Sequence, residues 1–207
     1  MKAQLFTFLF LATLTLTAQN QYTKGMEKAL ALWKEGKIVE SSNLFERIAL
    51  AEEDNWIPYY YASRVNTISC FGLEDEVLLT RRLEKAKENI DIAKRLSPDN
   101  AEILIQEATI NTAWISFDGP TYGMTLSGKN AQLYARALQL APENPRVVFS
   151  KAEWDMGSAR YFGKDIRPYC KDVEKALELF ATFESEEPFY PYWGEDRAKQ
   201  VLERCKE

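Results

Sequence analysis

The stretch that decides the fold is residues 86–100, AKENIDIAKRLSPDN. Small or apolar residues stand 12, 8 and 5 positions before Pro98, at the spacing of one helical face, and the run closes in Pro-Asp-Asn. The same frame recurs in residues 130–144, NAQLYARALQLAPEN, and in residues 176–190, ALELFATFESEEPFY. The three prolines are 44 and 46 residues apart. Self-similarity at a nearly fixed period predicts a chain of stacked helical units.

Each proline is predicted to separate two helices. The ladder before the first proline has apolar residues at alternating intervals of four and three, which is the period of an amphipathic helix: Leu79, Leu83, Ala86, Ile90 and Ala93. Proline cannot continue a helix, and the Asp or Asn that follows it favours a turn. Residues 102–114, 146–158 and 193 onwards are again helical in pattern. We therefore predict an all-α fold.

The composition excludes several classes of function. The chain has 207 residues, 28% of them charged, and a formal net charge of −5 without a basic run, which argues against nucleic acid and against an anionic membrane surface. There is no histidine, which excludes Ser-His-Asp and Cys-His catalysis and removes the commonest transition-metal ligand. The three cysteines are scattered. We therefore expect neither a metal nor a cofactor.

Residues 1–18 are predicted to be a secretory signal peptide. Lys2 precedes an apolar run from Leu5 to Leu16, after which the chain turns polar. This run is shorter than the roughly 20 residues that a membrane-spanning helix needs. We therefore expect a cleaved, exported protein, periplasmic or secreted, without stable membrane insertion, in which residues 22–207 form a single domain.

The repeating unit resembles the tetratricopeptide repeat. Residues 33–37, WKEGK, followed by Ser41, Phe45 and Ile48, look like the turn and second helix of that repeat. The Asp-Asn and Glu-Asn pairs after the first two prolines match its closing turn. The resemblance implies a superhelix of about four helical hairpins with a C-terminal capping helix. The whole chain is also similar to small exported tetratricopeptide-like proteins of Bacteroidetes-type bacteria.

A concave groove follows from this resemblance. In tetratricopeptide proteins the first helices of the hairpins line a groove that takes peptides. Eight residues are carried over to that groove: Trp33, Tyr60, Arg64, Glu102, Ile105, Arg146, Phe149 and Glu153. The alternative is that some of these side chains pack between helices. The sequence has no cluster of Lys and Asn of the kind that clamps a C-terminal carboxylate.

A second candidate surface lies where the units are longer than the standard repeat of 34 residues. The extra residues fall between the two helices of units two, three and four, and they combine glycine with aromatic residues: Phe71, Phe117, Tyr122, Tyr161, Phe162 and Tyr169. We expect them to form loops along one edge, because insertions at equivalent points of a solenoid fall on one side. Exposed aromatic residues make binding hot spots. The alternative is that these rings extend the core.

Cys170 and Cys205 are predicted to form a disulfide. In a helical hairpin that turns around Pro188, residues equidistant from the turn lie side by side, and these two cysteines are centred on it. An oxidising compartment favours the bridge, whereas the alternative is three buried thiols. Cys70 is expected to stay unpaired. The aromatic segment 188–195 is interpreted either as a hydrophobic wedge under the last helix or as a recognition surface.

We predict that the chain is a non-catalytic exported scaffold that binds a protein or a peptide. The alternative is a module that binds a glycan or small molecule at the aromatic edge. A glycosidase would need two carboxylates across a cleft. The acidic clusters at residues 52–54 and 74–76 instead stand at turns and helix starts, where acids favour the helix dipole. We therefore do not expect an enzyme.

Overall fold

The computed structural model describes residues 20–205, which contain helices and no strand. The predicted signal peptide, residues 1–18, lies outside the described residues. The helices are α1 (residues 20–34), α2 (Ile38–Ala51), α3 (Trp56–Ile68), α4 (Glu76–Leu96), α5 (Ala101–Phe117), α6 (Gly119–Leu140), α7 (Pro145–Tyr161), α8 (Cys170–Phe180) and α9 (Glu195–Arg204), with a 3-10 turn at Arg167–Tyr169. The prediction of an all-α fold is confirmed.

Asparagine starts three of these helices at one position of the repeat frame. The side-chain oxygens of Asn55, Asn100 and Asn144 each accept the backbone N–H two residues further along. Such a cap satisfies a donor that the first helical turn leaves free. In the turns 97–100 and 141–144, four residues are therefore enough to end one helix and begin the next.

The helices pack in sequence order, and a second set of contacts joins alternate helices. Consecutive helices from α2 to α9 are in contact, and α3 also contacts α5, which in turn contacts α7. The predicted stripe of α4 is buried along its whole length: Leu79, Leu83, Ala86, Ile90 and Ala93. This burial confirms the helical face predicted from the ladder. The first helices of the second, third and fourth units, α3, α5 and α7, thus lie next to one another. We call the surface that they share with α1, and that carries Tyr60, Glu102 and Arg146, the inner face.

Two polar residues in the buried ladders have a clear reason to be there. Ser41 donates its hydroxyl to the carbonyl of Ala29 at 2.8 Å, and the amide of Asn130 donates to the carbonyl of Ala108 at 3.1 Å. Asn130 stands 12 positions before Pro142, and Ser41 stands 12 positions before Glu53, which takes the place of the proline in the first unit. Buried polar groups are tolerated when they are hydrogen-bonded, and these two hydrogen bonds join the two helices of a unit.

Much of the extra length of the units is helical, which corrects the expectation of long loops. α4 and α6 contain 21 and 22 residues, compared with 14 in α2. Between α5 and α6 only Asp118 is non-helical, and its side chain caps α6 by accepting the N–H of Thr121. Non-helical connections remain at residues 69–75 and 162–166. Most of the extra residues therefore lengthen the helices of the hairpins, and fewer of them form loops.

The fourth unit closes differently from the second and third. α8 ends at Phe180, well before Pro188, and residues 181–194, which we call the strap, lead to α9 without forming a helix. Phe183, expected on the helical ladder, therefore lies on the strap. Gly194 ends the strap with φ +112°, and a Cβ at this position would lie 2.9 Å from the Phe180 ring. Both the left-handed conformation and the close approach require glycine here.

The predicted disulfide is confirmed. Cys170 at the start of α8 and Cys205 after α9 are bonded, with their Cα atoms 6.0 Å apart. Cys70 is a free, buried cysteine, as expected. The bridge is consistent with export, because disulfides persist in oxidising compartments. Within residues 20–205 no helix has the length and hydrophobicity needed to cross a membrane.

Candidate functional site

The strap covers the inner face of the helices. The Phe189 ring packs edge-on against Tyr22 of α1, with the ring centroids 5.5 Å apart. On α3, Trp56 donates its indole N–H to Glu187 at 3.1 Å and packs edge-on against Tyr190. Aromatic side chains from the strap therefore occupy the face that the sequence predicts to be an open groove.

Trp193, near the end of the strap, makes the closest contacts. Its indole N–H donates to the Tyr60 hydroxyl at 2.8 Å, and the guanidinium carbon of Arg64 lies 3.4 Å from the centre of its ring. A cation over an indole face is attracted by the ring quadrupole. Burial raises the pKa of Tyr60 to about 12, so its hydroxyl stays protonated. Two residues of α3 thus hold one indole of the strap.

A buried group of charged residues lies deeper on the inner face. Arg146 Nε donates to Glu102 Oε1 at 2.7 Å, and the Asn144 amide donates to the same oxygen at 2.7 Å. The side chains of Arg146 and Glu102 are only 2% and 0% exposed. Nearby, Arg64 Nη1 donates to Gln106 Oε1 at 3.2 Å. Burial raises the pKa of the Glu102 carboxyl, and the charge of Arg146 opposes this effect.

A cleft of about 350 Å³ opens between α1, α3 and the end of the strap. Its lining is largely aromatic and aliphatic, with one cationic residue: Leu30, Ala31, Trp33, Lys34, Tyr61, Tyr192 and Trp193. Tyr192 is 67% exposed, whereas Tyr61 is buried and burial raises the pKa of its hydroxyl. Aromatic walls with a few polar groups are typical of sites for small apolar ligands. We refer to this site as the aromatic cleft.

The eight residues predicted to line an open groove all lie on the inner helices, but most are covered. Six are buried: Tyr60, Arg64, Glu102, Ile105, Arg146 and Phe149. Trp33 is partly exposed in the aromatic cleft, and Glu153 is partly exposed in an ion pair with Arg197 at 2.8 Å. The expectation of an open groove along these residues is therefore corrected. The strap covers Tyr60, Arg64 and Arg146, whereas Phe149 packs between α7, α8 and α9, as the alternative predicted.

The six aromatic residues predicted along the edge are divided between surface and core. Tyr161 and Phe162 are 72% and 66% exposed, and Phe71 is exposed as well. By contrast, Tyr122 packs on the Trp114 ring with centroids 4.9 Å apart. The remaining two are partly buried against hydrophobic clusters: Phe117 and Tyr169. Three of the six predicted edge residues are therefore exposed.

The sequence did not place Tyr61 in a site, and it assigned Tyr192 and Trp193 only to the segment 188–195, interpreted either as a hydrophobic wedge or as a recognition surface. A signal was nevertheless present in the repeat frame. The capping asparagine two positions after the proline in units two and three is replaced by Tyr190 in unit four. Without that cap, the next helix has no side-chain acceptor at which to begin. The aromatic residues around Tyr190 could therefore have been assigned to a non-helical segment.

The inner face is equipped for binding. It offers guanidinium and amide donors, tyrosine hydroxyls that burial keeps neutral, and aromatic ring faces. Among the described residues, no group of three or more Cys, Asp or Glu side chains is placed to hold a metal ion. Such a surface favours a ligand that combines an extended aromatic system with an anionic group.

Comparison with known proteins gives an informative structural similarity. No protein-family model matches the chain, and no curated protein matches it in sequence. Among solved structures, the chain is similar to the HusA haemophore from Porphyromonas gingivalis, with a TM-score of 0.77 and 26% sequence identity. The similarity covers 89% of this chain and 92% of that chain. The two proteins therefore share an all-helical fold over nearly their full lengths.

Proposed function

We propose that this chain is an exported, non-catalytic binding protein that takes a flat aromatic ligand in the aromatic cleft, with haem as the first candidate. The observation that carries the proposal is the lining of the cleft, where Trp33, Tyr61, Tyr192 and Trp193 surround one opening. Aromatic side chains bind planar ligands through offset or edge-on ring contacts. The similarity to a haemophore supports haem as the ligand to test.

The residues of the cleft favour recognition of the porphyrin ring over coordination of its iron. Haem iron is held in proteins mainly by His, Cys, Met or Tyr side chains. The chain has no histidine, and no cysteine or methionine lines the cleft. Burial raises the pKa of the Tyr61 hydroxyl, which disfavours a phenolate ligand there and leaves the exposed Tyr192 as the one other tyrosine of the lining. Ring contacts and the cationic Lys34 at the rim are then the main sources of affinity. Iron-free protoporphyrin is expected to bind about as tightly as haem.

This proposal is tested by titrating the full chain with haem and with protoporphyrin IX. Quenching of tryptophan fluorescence gives the affinity for each ligand. Tyr192→Ala should weaken binding about tenfold, because it removes an exposed wall of the cleft. Tyr161→Ala is the matched control, since it removes a similarly exposed tyrosine from the outer edge. Equal loss of affinity in both variants, or loss only in Tyr161→Ala, would move the site to the aromatic edge. Absence of binding to either porphyrin would reject the cleft proposal.

A peptide is the second candidate ligand, because the inner face already accommodates an extended stretch of the chain itself. The strap lies across α1 and α3 through Phe189, Tyr190 and Trp193. A synthetic fluorescent peptide copying residues 183–193 should bind the Trp193→Ala variant more tightly than the wild type if peptides use this face. Equal anisotropy with both proteins would argue against a peptide site.

We also propose that the hairpins form a tetratricopeptide-like superhelix. The shared capping position of Asn55, Asn100 and Asn144 supports it, as do the contacts of α3 with α5 and of α5 with α7. In the same proposal, residues 1–18 are removed on export and residues 22–207 form one domain. Sequencing the N-terminus of the protein recovered from a bacterial periplasm would test the cleavage, which fails if the mature chain still begins at Met1.

A further inference from the structure

Two buried arginines lie directly beneath the strap and are covered by aromatic rings. Arg64 faces the Trp193 ring, whose centre lies 3.4 Å from its guanidinium carbon. Arg146 faces the rings of Phe183 and Tyr190 at 4.7 Å and 5.3 Å. Ring faces attract guanidinium groups, but a carboxylate offers charge-assisted hydrogen bonds in a bidentate arrangement. The strap therefore covers both arginines with partners weaker than an anion.

Several polar atoms on the same face have no hydrogen-bond partner. Among residues 20–205, five buried side-chain atoms lack a hydrogen bond of good geometry: Tyr22 Oη, Tyr61 Oη, Arg64 Nε, Glu102 Oε2 and Arg146 Nη2. Of these, Tyr22 Oη lies close to the Asn55 side chain. All five belong to the inner helices that the strap covers. Tyr190 comes close to Arg146, yet Nη2 remains without a bond. Native interiors leave few polar atoms unpaired, and a binding site that lacks its ligand is one reason for such a cluster.

The charges of this cluster do not balance. Arg64 and Arg146 both lie close enough to Glu102 to lower its pKa against the effect of burial. The Glu102 carboxylate is therefore one negative charge near two positive guanidinium groups. Both are buried: Arg64 is 7% exposed and Arg146 is 2% exposed. A buried charge is costly unless it is paired. An additional carboxylate brought in by a ligand would supply the missing negative charge.

We propose that Arg64 and Arg146 form a carboxylate-binding subsite that extends the aromatic cleft, and that the strap covers this subsite until a ligand displaces it. The proposal rests on the proposed function, because Trp193 borders both the cleft and Arg64. A planar aromatic molecule held against the helix residues Trp33 and Tyr61 would place an acidic substituent toward Arg64, in the position that the Trp193 indole occupies until it is displaced. The ligand class is thus an aromatic carboxylate, and the propionate groups of a porphyrin belong to this class.

The subsite can first be tested by changing the ligand. This measurement uses the wild-type chain and does not depend on a variant that folds. Protoporphyrin IX and its dimethyl ester share the aromatic ring, but only the free acid carries carboxylates. The wild-type chain should bind the acid at least about tenfold more tightly than the ester, since one charge-assisted hydrogen bond is worth about that factor. Arg64→Gln should remove this preference, so that the acid and the ester bind the variant equally; the ratio of the two affinities is the readout, because Arg64 also contacts the cleft residue Trp193.

The strap provides a second, independent measurement. Tyr190→Ala loosens the cover over Arg146 and should tighten binding of the free acid several-fold. Glu186→Ala alters an exposed strap residue and should leave it unchanged. If the acid and the ester bind wild type equally, or if Lys34→Gln removes the preference in place of Arg64→Gln, the subsite proposal is overturned and the aromatic cleft stands. If neither porphyrin binds, the cleft and the subsite are both rejected.

Discussion

The second and third units close in short turns, whereas the fourth closes in the strap. Residues 97–100 and 141–144 each end in an asparagine whose side-chain oxygen accepts a backbone N–H of the next helix. Residues 181–194 instead contact the inner helices mainly through side chains, including Glu187 and Trp193. The same proline frame thus has two outcomes, a local turn held by the backbone and a long segment held by tertiary contacts.

This difference has consequences for stability and motion. A turn that is capped by its own neighbours opens only when its helices fray or unfold. A segment held by a few ring contacts, with few backbone hydrogen bonds, can detach while the helices remain folded. In the strap beyond Thr182, a backbone hydrogen bond is made by the N–H of Tyr190 to the carbonyl of Glu187. The strap is therefore the part of the inner face best able to open on its own, as the proposed displacement by a ligand requires.

The largest effect is expected beneath the strap, at Arg146. Arg146→Met leaves Glu102 buried beside Asn144 without its closest positive partner, and we expect a loss of roughly 3–5 kcal/mol in the free energy of unfolding. Arg197→Met is a matched control, because Arg197 Nε also donates to a glutamate 44 residues away, at 2.8 Å. That pair is exposed at 48% and 37%, so its loss should cost less than about 1 kcal/mol. Urea denaturation measures both.

The pH dependence of the Arg146→Met variant sharpens this prediction. Burial already raises the pKa of Glu102 in the folded protein, and loss of Arg146 removes its main opposition. The folded variant then holds a proton that the unfolded chain releases above about pH 4.3. As the pH rises above this value, the stability of the variant should therefore fall more than that of wild type, in which Arg146 opposes the rise in the pKa of Glu102. A deficit of the same size at about pH 4.5 and about pH 7.5 would contradict the assignment.

The disulfide is expected to have the next largest effect, because it ties together the helices at the two ends of the strap. Cys170 and Cys205 are 35 residues apart in sequence. Replacing both with serine should lower the free energy of unfolding by about 3–4 kcal/mol on a chain-entropy basis. A reductant should reduce the stability of wild type and leave that of the double variant unchanged. Equal stability of the two proteins without reductant would show that the bridge does not hold the strap region.

Much of this fold could be predicted from the sequence, because local signals and tertiary structure agree. The buried stripe from Leu79 to Ala93 and the closing turn at Pro98 follow from helical periodicity and from proline. The pairing of Cys170 with Cys205 followed from hairpin symmetry. It was confirmed although the segment between the two helices proved longer than a turn.

The candidate site could not be predicted in the same way, because it depends on contacts far apart in sequence. The hydrogen bond between Trp193 and Tyr60 joins residues 133 positions apart, and no periodic pattern encodes it. The residues of the groove were placed on the correct helices, since Tyr60, Ile105 and Phe149 occupy matching positions of the frame. Whether that face was open or covered depended on the path of the strap, which the repeat pattern does not specify.

A smaller effect is expected when the strap alone is loosened. Trp193→Ala removes a partly buried indole, its hydrogen bond to Tyr60 and its contact with Arg64, and we expect a loss of about 2–3 kcal/mol. Amide hydrogen exchange should accelerate across residues 181–194 and remain unchanged at the turns 97–100 and 141–144. Acceleration of equal size at the strap and at both turns would mean that the strap does not open independently.

The smallest effect is expected at the capping asparagines of the two short turns. Asn100→Ala removes the acceptor for the N–H of Glu102 and should cost about 1 kcal/mol. Asn144→Ala removes the corresponding cap of α7 and also the donor to Glu102 Oε1, so it should cost about 1 kcal/mol more. Chemical denaturation of both variants in the Glu102→Gln background separates the two contributions. The extra cost at Asn144 should shrink there because the carboxylate is gone, whereas the cost at Asn100 should stay the same. If the two asparagines cost the same in both backgrounds, Asn144 acts only as a cap, and the buried charges beneath the strap are organised without it.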